Sequence, residues 1–250
     1  MQTETNTNEF VRTPEQLKKV TQEFLNPNCS PEFMDLYIVR NAILTAIKKT
    51  LPQFSGTLLD VGCGIMPYRE LLTSPPSKVT RYLGMDIATE RYIADIDLRW
   101  DGNEMPLPER SVDCAMATEV MEHSPNPALL LSEVKRVLRP GGLFFFTVPF
   151  IWPLHDVPGD FFRYTSFTLK ELLSGANFTD IEIHGLGGWN ASLAQLIGLW
   201  VRRSPLEAEM RKTMESQLFP FFKELIDSDK PVDPFKKNSL ATGWWGTARA

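Results

Sequence analysis

Two stretches of this 250-residue chain concentrate the residue types that do chemistry. The first is Asp60-Val61-Gly62-Cys63-Gly64, with Asp86 following 26 positions after Asp60. Glycines after a short apolar run let the backbone approach a ligand and take dihedrals closed to other residues. A carboxylate at the end of the next apolar run can accept both hydroxyls of a ribose. A plain tight turn and a helix-capping aspartate remain the alternative reading of those positions. A dinucleotide site would continue to a third glycine, which packs helix on strand and opens a helix N-terminus toward pyrophosphate. Here the third glycine position of that spacing is Pro67, so a nicotinamide cofactor is disfavoured. The second stretch runs from Pro149 to Thr165 and gathers Trp152, His155, Asp156, Asp160, Phe161, Phe162, Arg163 and Tyr164 in one irregular segment. His155 is the candidate base, because an unperturbed imidazole titrates near neutrality, or it pins the loop by bonding Asp156. Arg163 has two uses open to it: bidentate recognition of an acidic ligand, or locking the loop through Asp160. Phe161, Phe162 and Trp152 read first as packing. Cys63 and Cys114 have no basic neighbour in sequence and fall on or beside apolar runs, so they read as inert.

The elements that must position these residues alternate between short apolar runs and helical stretches. Residues 1–12 read as a frayed tail. A helix over about Met34 to Thr50 puts Leu36, Val39, Ala42, Ile43, Ala46 and Ile47 on one stripe. Thr57 to Val61, Tyr82 to Asp86, Val112 to Thr118, Leu143 to Val148 and Asp180 to His184 read as strands, and Ala241 to Ala248 as a last one. Asn126-Pro127 opens a helix as N-cap and first residue, and Pro140-Gly141-Gly142 closes it. Thr168-x-x-Glu171 reads as the capping box of another helix, ending near Ser174-Gly175. Such alternation predicts an α/β fold, a doubly wound parallel sheet covered on both faces. In such sheets ligands bind at the carboxyl ends of the strands, where both chemical stretches fall.

Composition narrows the function further. Hydrophobic residues are 43% and charged residues 23% of the chain, ordinary globular usage. No apolar run reaches the roughly 18 residues of a membrane span, and the opening MQTETNTNEF is too polar for a secretory leader. Three widely spaced cysteines, Cys29, Cys63 and Cys114, suggest neither a disulfide framework nor a zinc site. Residues 1–200 carry 17 basic and 24 acidic residues, the last fifty 9 and 7. No basic stripe is available to neutralise phosphates, so nucleic acid is not expected as a partner. The cytoplasm is the expected location.

The region from about 57 to 149 resembles the class I S-adenosylmethionine-dependent methyltransferases, of the type 11-like kind. The likeness runs through Leu58-Leu-Asp60-Val-Gly62-Cys-Gly64, Gly84-Met-Asp86 and Asp101-Gly-Asn-Glu104-Met105-Pro. It continues over Ser111-Val-Asp113, Glu119-Val-Met-Glu122-His123 and Arg136-Val-Leu-Arg-Pro-Gly-Gly142. It departs at Met66, where many members have a third glycine. The resemblance implies a seven-stranded Rossmann-like sheet with the last strand antiparallel. It implies that Asp60, Gly62 and Gly64 hold the methionine end of the cofactor and that Asp86 takes the ribose hydroxyls. Asp101 would accept from the adenine amine, Glu104 and Met105 would line the ring, and Thr118 and Glu119 would border the sulfonium. A site of carboxylates and glycines without lysines suits a cofactor that has no phosphate.

The segment from Pro149 to Thr165 is similar to the acceptor loop of a methyltransferase subgroup associated with surface-polysaccharide and glycan biosynthesis. His155 is the expected catalytic residue, and His123, Trp152, Asp160, Arg163 and Tyr164 are the expected substrate-binding residues. Methyl transfer to a hydroxyl is an in-line displacement that needs a lone pair near the methyl carbon and a base for the proton. The expected reaction is O-methylation of a sugar, glycan or other small-molecule acceptor. No magnesium site of the catechol-enzyme kind is visible, so no metal is expected. The Glu119-x-x-Glu122-His123 stretch also resembles quinone-pathway O-methyltransferases, and N- or C-methylation of a quinone-like or natural-product metabolite stays open. A non-catalytic, cofactor-binding partner subunit is the alternative outside enzymes.

The expected organisation is one methyltransferase domain: an N-terminal helical cover over 13–50, a cofactor-binding core over 56–185, a helical insertion over 186–240 and a last strand over 241–250. The insertion, with its apolar run from Ala191 to Val201 followed by Arg202-Arg203, has three readings. It is a lid over the site, a homodimer surface, or a peripheral membrane contact.

Overall fold

A computed structural model describes residues 13–87 and 96–250, so the tail reading for residues 1–12 lies outside it. The seven strands are β1 (Ser55–Val61), β2 (Lys78–Ile87), β3 (Leu98–Trp100), β4 (Val112–Thr118), β5 (Leu138–Pro149), β6 (Thr179–Leu186) and β7 (Gly243–Arg249). They form one sheet in the order β3-β2-β1-β4-β5-β7-β6. All pairings among β1 to β5 are parallel, and β7 runs antiparallel to both β5 and β6. The α/β expectation with a reversed last strand therefore holds. Strand order changes direction at β1 and β4, and a ligand crevice opens there at the strand carboxyl ends.

Strand periodicity divides the core between the two faces of the sheet. Phe144 and Phe146 of β5 point to one face, with Leu59, Ala115 and Trp244. That face is covered by α4 (Pro127–Val137) and α5 (Ser166–Gly175). Phe145 points to the other, with Leu58, Met116 and Trp245, beneath α2 (Tyr37–Thr50). A seven-residue α1 (Pro14–Val20) precedes α2, and α3 (Arg69–Leu72) links β1 to β2. Asn126 caps α4 as its sequence suggests, accepting from the Leu129 N–H at 3.1 Å with Pro127 in first position.

Local structure departs from the sequence expectations in three places. The helix expected from Met34 starts at Tyr37, because Pro31–Phe33 form a separate 3₁₀ turn; Ile38 and Leu44 join the buried stripe. The cap of α5 is Thr165, whose hydroxyl accepts from the Thr168 N–H at 3.2 Å, and not Thr168. Pro140-Gly141-Gly142 does not close α4, which ends at Val137; the three residues lie inside β5. The register there jumps from Val112↔Leu138 to Cys114↔Leu143, so the extra residues bulge from the ladder. Gly141 takes a φ of 77° at that bulge, a conformation suited to glycine.

The insertion is helical, with α6 (Trp189–Arg203) and α7 (Ala208–Asp227). It packs on the N-terminal segment. A Cβ on Gly198 would collide with the Met34 carbonyl, Gln195 Nε2 donates to Asp35 O at 2.8 Å, and Arg203 Nε donates to Asp35 Oδ2 at 2.8 Å. Trp189, Leu193, Leu196 and Trp200 remain exposed along one side of α6. Among the described residues, no helix is long and apolar enough to cross a membrane.

Candidate active site

Two adjoining hollows, of ≈ 450 and ≈ 370 Å³, open at the carboxyl ends of β1, β2 and β4. Gly62, Glu119, His123 and Asp156 line both, so these residues form the boundary between them.

The larger hollow holds the glycine turn and the β2 carboxylate. Gly62 has a φ of 67°, and a Cβ there would sit 2.5 Å from Val120, so only glycine fits without strain. The Asp86 side chain accepts from the Gly64 N–H and from the Ile87 N–H, each at 2.7 Å. These bonds fix its two oxygens on the hollow while leaving each with lone-pair capacity. Burial raises its pKa above the ordinary carboxylate value. Trp100, Asp101 and Asn103 complete this wall, and no described residue lining it is Lys or Arg. Asp101 is exposed, and the Asn103 N–H donates to it at 2.8 Å.

Other residues singled out in the sequence lie elsewhere. Glu104 is exposed and outside the lining, whereas Met105 is buried in the core. The Met105 N–H donates to Glu133 at 2.7 Å and its carbonyl accepts from Arg136 at 2.9 Å. Asp60 lies beneath the turn, where it accepts from the Tyr82 hydroxyl; its other oxygen has no partner, and burial pushes its carboxyl up to about 7. Met66 takes the left-handed φ of 51° that explains why a glycine is usual there, and its sulfur fills the space left by Gly84.

The smaller hollow is formed by Thr118, Arg40, Phe24, Tyr68, Trp152 and His155. Arg40 was not evident from the sequence as a site residue. The available signal was its position as the single charge between Tyr37 and Ile47 of α2. Its positive charge stabilises the ionised form of Glu119, while burial dominates and raises the Glu119 pKa. Glu119 itself has a φ of 55°, strain of about 1–3 kcal/mol that surrounding contacts must hold. Those contacts are its N–H to the Thr147 carbonyl at 3.1 Å and the Thr147 hydroxyl to its Oε1 at 2.8 Å.

The loop after β5 is braced by Arg163. Its guanidinium donates in a fork to both Asp160 oxygens at 2.7 and 2.8 Å, and to the carbonyls of Trp152, Pro153 and Phe162. The Asp160 side chain is fully buried, and Arg163 holds its carboxyl far below the usual range. Tyr164 is also buried, donating its hydroxyl to the Met121 carbonyl at 2.8 Å. Asp160, Arg163 and Tyr164 thus frame the loop and do not line either hollow; of the two uses open to Arg163, the structure displays the lock. Asp160 also bonds His155, at 3.0 Å to its N–H and 3.1 Å to Nδ1. A carboxylate only accepts, so Nδ1 carries the hydrogen and Nε2 keeps its lone pair. Burial lowers the His155 pKa against the raising effect of Asp160. Cys63 and Cys114 are buried with pKa values pushed up, in line with inert thiols.

The fold is similar to that of solved S-adenosylmethionine-dependent methyltransferases. Residues 59–146 match the model of a family described as "Methyltransferase domain". The chain is 34% identical over 147 residues to a protein named a probable S-adenosylmethionine-dependent methyltransferase from Mycolicibacterium smegmatis, covering 52% of this chain and 56% of that one. It is 36% identical over 104 residues to the 27-O-demethylrifamycin SV methyltransferase of Amycolatopsis mediterranei, covering 37% and 38%. The chain thus spans little more than half the length of these curated relatives, or less. A similar solved fold is a SAM-dependent methyltransferase from Archaeoglobus fulgidus, with TM-score 0.51, 17% identity and coverage of 84% of this chain and 94% of that one. Another is an S-adenosylmethionine-dependent methyltransferase from Mesorhizobium loti, with TM-score 0.52, 18% identity and coverage of 85% and 100%. The donor set of the larger hollow fits S-adenosylmethionine: carboxylates for a diol and an amine, apolar walls and, among the described residues, no lysine or arginine for a phosphate.

Proposed function

We propose that the protein is an S-adenosylmethionine-dependent methyltransferase that acts on a hydroxyl of a sugar, glycan or similar small-molecule acceptor. The observation that supports this reading best is the pair of adjoining hollows whose shared boundary includes Glu119 and His123. Bound S-adenosylmethionine supplies an electrophilic methyl group. In this reading Asp86 takes its ribose, Asp101 lies at the adenine end, and Gly62 and Gly64 allow close backbone approach. Asp60 acts from below the turn, Glu119 stands at the boundary, and Thr118 lines the smaller hollow beside it. The acceptor occupies the smaller hollow, where Tyr68 and Trp152 offer flat faces and Arg40 and Glu119 offer charge. His155 is the catalytic residue, and Arg163 and Asp160 position it. The exposed stripe of α6 is the surface that a homodimer or a peripheral membrane contact would use.

Calorimetric titration with S-adenosylhomocysteine tests the cofactor half. Micromolar binding that Asp86→Ala loses supports it, and no binding to folded protein defeats it. An acceptor screen of nucleotide sugars and glycans, read as the mass gained on methylation, tests the rest. His155→Ala should lower turnover at least ~100-fold with unchanged S-adenosylhomocysteine affinity, the usual scale of proton-transfer catalysis.

A further inference from the structure

Next to His123, which lines both hollows, lies a buried carboxylate without a hydrogen-bond partner. Glu122 is fully buried, and neither of its oxygens has a hydrogen-bond partner. An orphan of this kind carries a desolvation cost of about 1–3 kcal/mol or more. Two imidazoles stand beside it. His123 Nε2 is 3.7 Å from Glu122 Oε1, and the rings of His123 and His155 meet edge to face at 4.7 Å between centroids. One donor atom from each of Glu122, His123 and His155 lies within 4.8 Å of the other two.

Both rings are oriented from behind. His123 Nδ1 lies 2.8 Å from the Gly159 carbonyl, and His155 Nδ1 lies 3.1 Å from Asp160. The Gly159 carbonyl and the Asp160 carboxylate can only accept, and Arg163 Nη2, 3.5 Å from His155 Nδ1, donates to Asp160 at the shorter 2.8 Å. Each Nδ1 is therefore taken as the protonated nitrogen, and each Nε2 is left with its lone pair. Metal-ligating histidines are held in this way, by a carbonyl or carboxylate on the other nitrogen. The same loop is tied to the glutamate, since the Phe161 N–H donates to the Glu122 carbonyl at 2.9 Å. The imidazoles are about a quarter exposed, which leaves a path for an ion.

We propose that Glu122, His123 and His155 form a divalent-cation site at the junction of the two hollows, suited to Zn²⁺, Mn²⁺ or Co²⁺, which binds the acceptor hydroxyl. Two imidazoles and one carboxylate match such ions and leave coordination positions open. Metal bonds of 2.0–2.2 Å set neighbouring ligand atoms about 3–4 Å apart, so small side-chain rotations close the present arrangement. A hydroxyl oxygen on the cation becomes more acidic and releases its proton to solvent water, leaving its electron pair on the oxygen. His155 then serves as a ligand and not as the base, and the transfer is metal-assisted, against the expectation from sequence.

The role assigned to the cation rests on the methyltransferase reading, but the site itself can be tested apart from it. Chelator-treated protein is titrated with ZnCl₂, MnCl₂ and CoCl₂ by calorimetry, with the visible spectrum of Co²⁺ as a second readout. One equivalent should bind, with a Co²⁺ spectrum of nitrogen and oxygen ligation. Glu122→Gln and His123→Ala should each weaken binding at least ~100-fold, since even second-shell losses cost 10–100-fold. Retained S-adenosylhomocysteine affinity shows that a variant is folded; His155→Asn replaces any variant that is not. Failure of all three ions to bind stoichiometrically, or binding that these substitutions leave unchanged, overturns the site. Metal binding without S-adenosylhomocysteine binding would defeat the methyltransferase reading and leave the site standing.

Discussion

Replacing Arg163 by methionine separates the two uses its sequence context left open. Methionine keeps much of the aliphatic volume but removes every donor. Asp160, whose side chain has no exposed surface, would keep only its bonds to His155 at 3.0 and 3.1 Å. Breaking a buried pair by deleting one partner costs about 3–5 kcal/mol, because the remaining charge is stranded. Three loop carbonyls, at Trp152, Pro153 and Phe162, also lose a donor; they are near solvent and add little. Arg163→Met should therefore lower stability by about 3 kcal/mol in urea unfolding. Where the loop opens locally instead, the cost appears as faster amide exchange across 152–163. Asp160→Asn in the same chain should recover about half, since the stranded charge is gone. An acceptor-binding arginine would behave differently. Stability within 0.5 kcal/mol of wild type, unchanged exchange and a raised acceptor KM would refute the lock.

The remaining predictions concern the glycine turn, the pH dependence and the cap. Met66→Gly would relieve a left-handed residue, worth about 1–2 kcal/mol, but empty a fully buried site, which costs about 2–5 kcal/mol; net destabilisation by thermal melting is expected, and a gain would show that strain dominates. Asp60 is raised to about 7 when folded, above its unfolded value near 4. Its contribution is therefore fully present below about pH 4 and is lost as pH rises toward 7, by at most about 4 kcal/mol. Asp60→Asn should flatten that part of the stability–pH curve, and an unchanged curve would place the titration elsewhere. Asp160 has the opposite sign: its depressed pKa stabilises above pH 4 and the benefit fades as pH falls below that. Thr165→Ala should cost about 1 kcal/mol as the loss of an N-cap, whereas Thr168→Ala should cost less, measured by urea midpoints.

Much of this protein is determined by local sequence. Short apolar runs alternating with helical stretches announce a mostly parallel sheet, because strands buried on both faces read as continuous apolar runs. The glycine turn is announced by its residue types, since only glycine tolerates a φ of 67° beside Val120. Asn126-Pro127 declares a helix start by itself. Three-dimensional contacts decide the rest. Pro140-Gly141-Gly142 looks like a helix stop but becomes a bulge, because the β4 ladder reaches past it to Leu138. Arg163 could have faced a ligand; a buried Asp160 three residues away captures it, and burial is not written in spacing. Glu122, His123 and His155 are separated by up to 33 positions, and only the docking of the β5 loop onto the turn after β4 brings them together. Arg40 reaches the cleft for the same reason, since α2 packs on the face of the sheet that carries Leu58, Met116 and Phe145. Chemistry that depends on one residue and its neighbours is legible in the chain, whereas chemistry assembled across strands is set by packing.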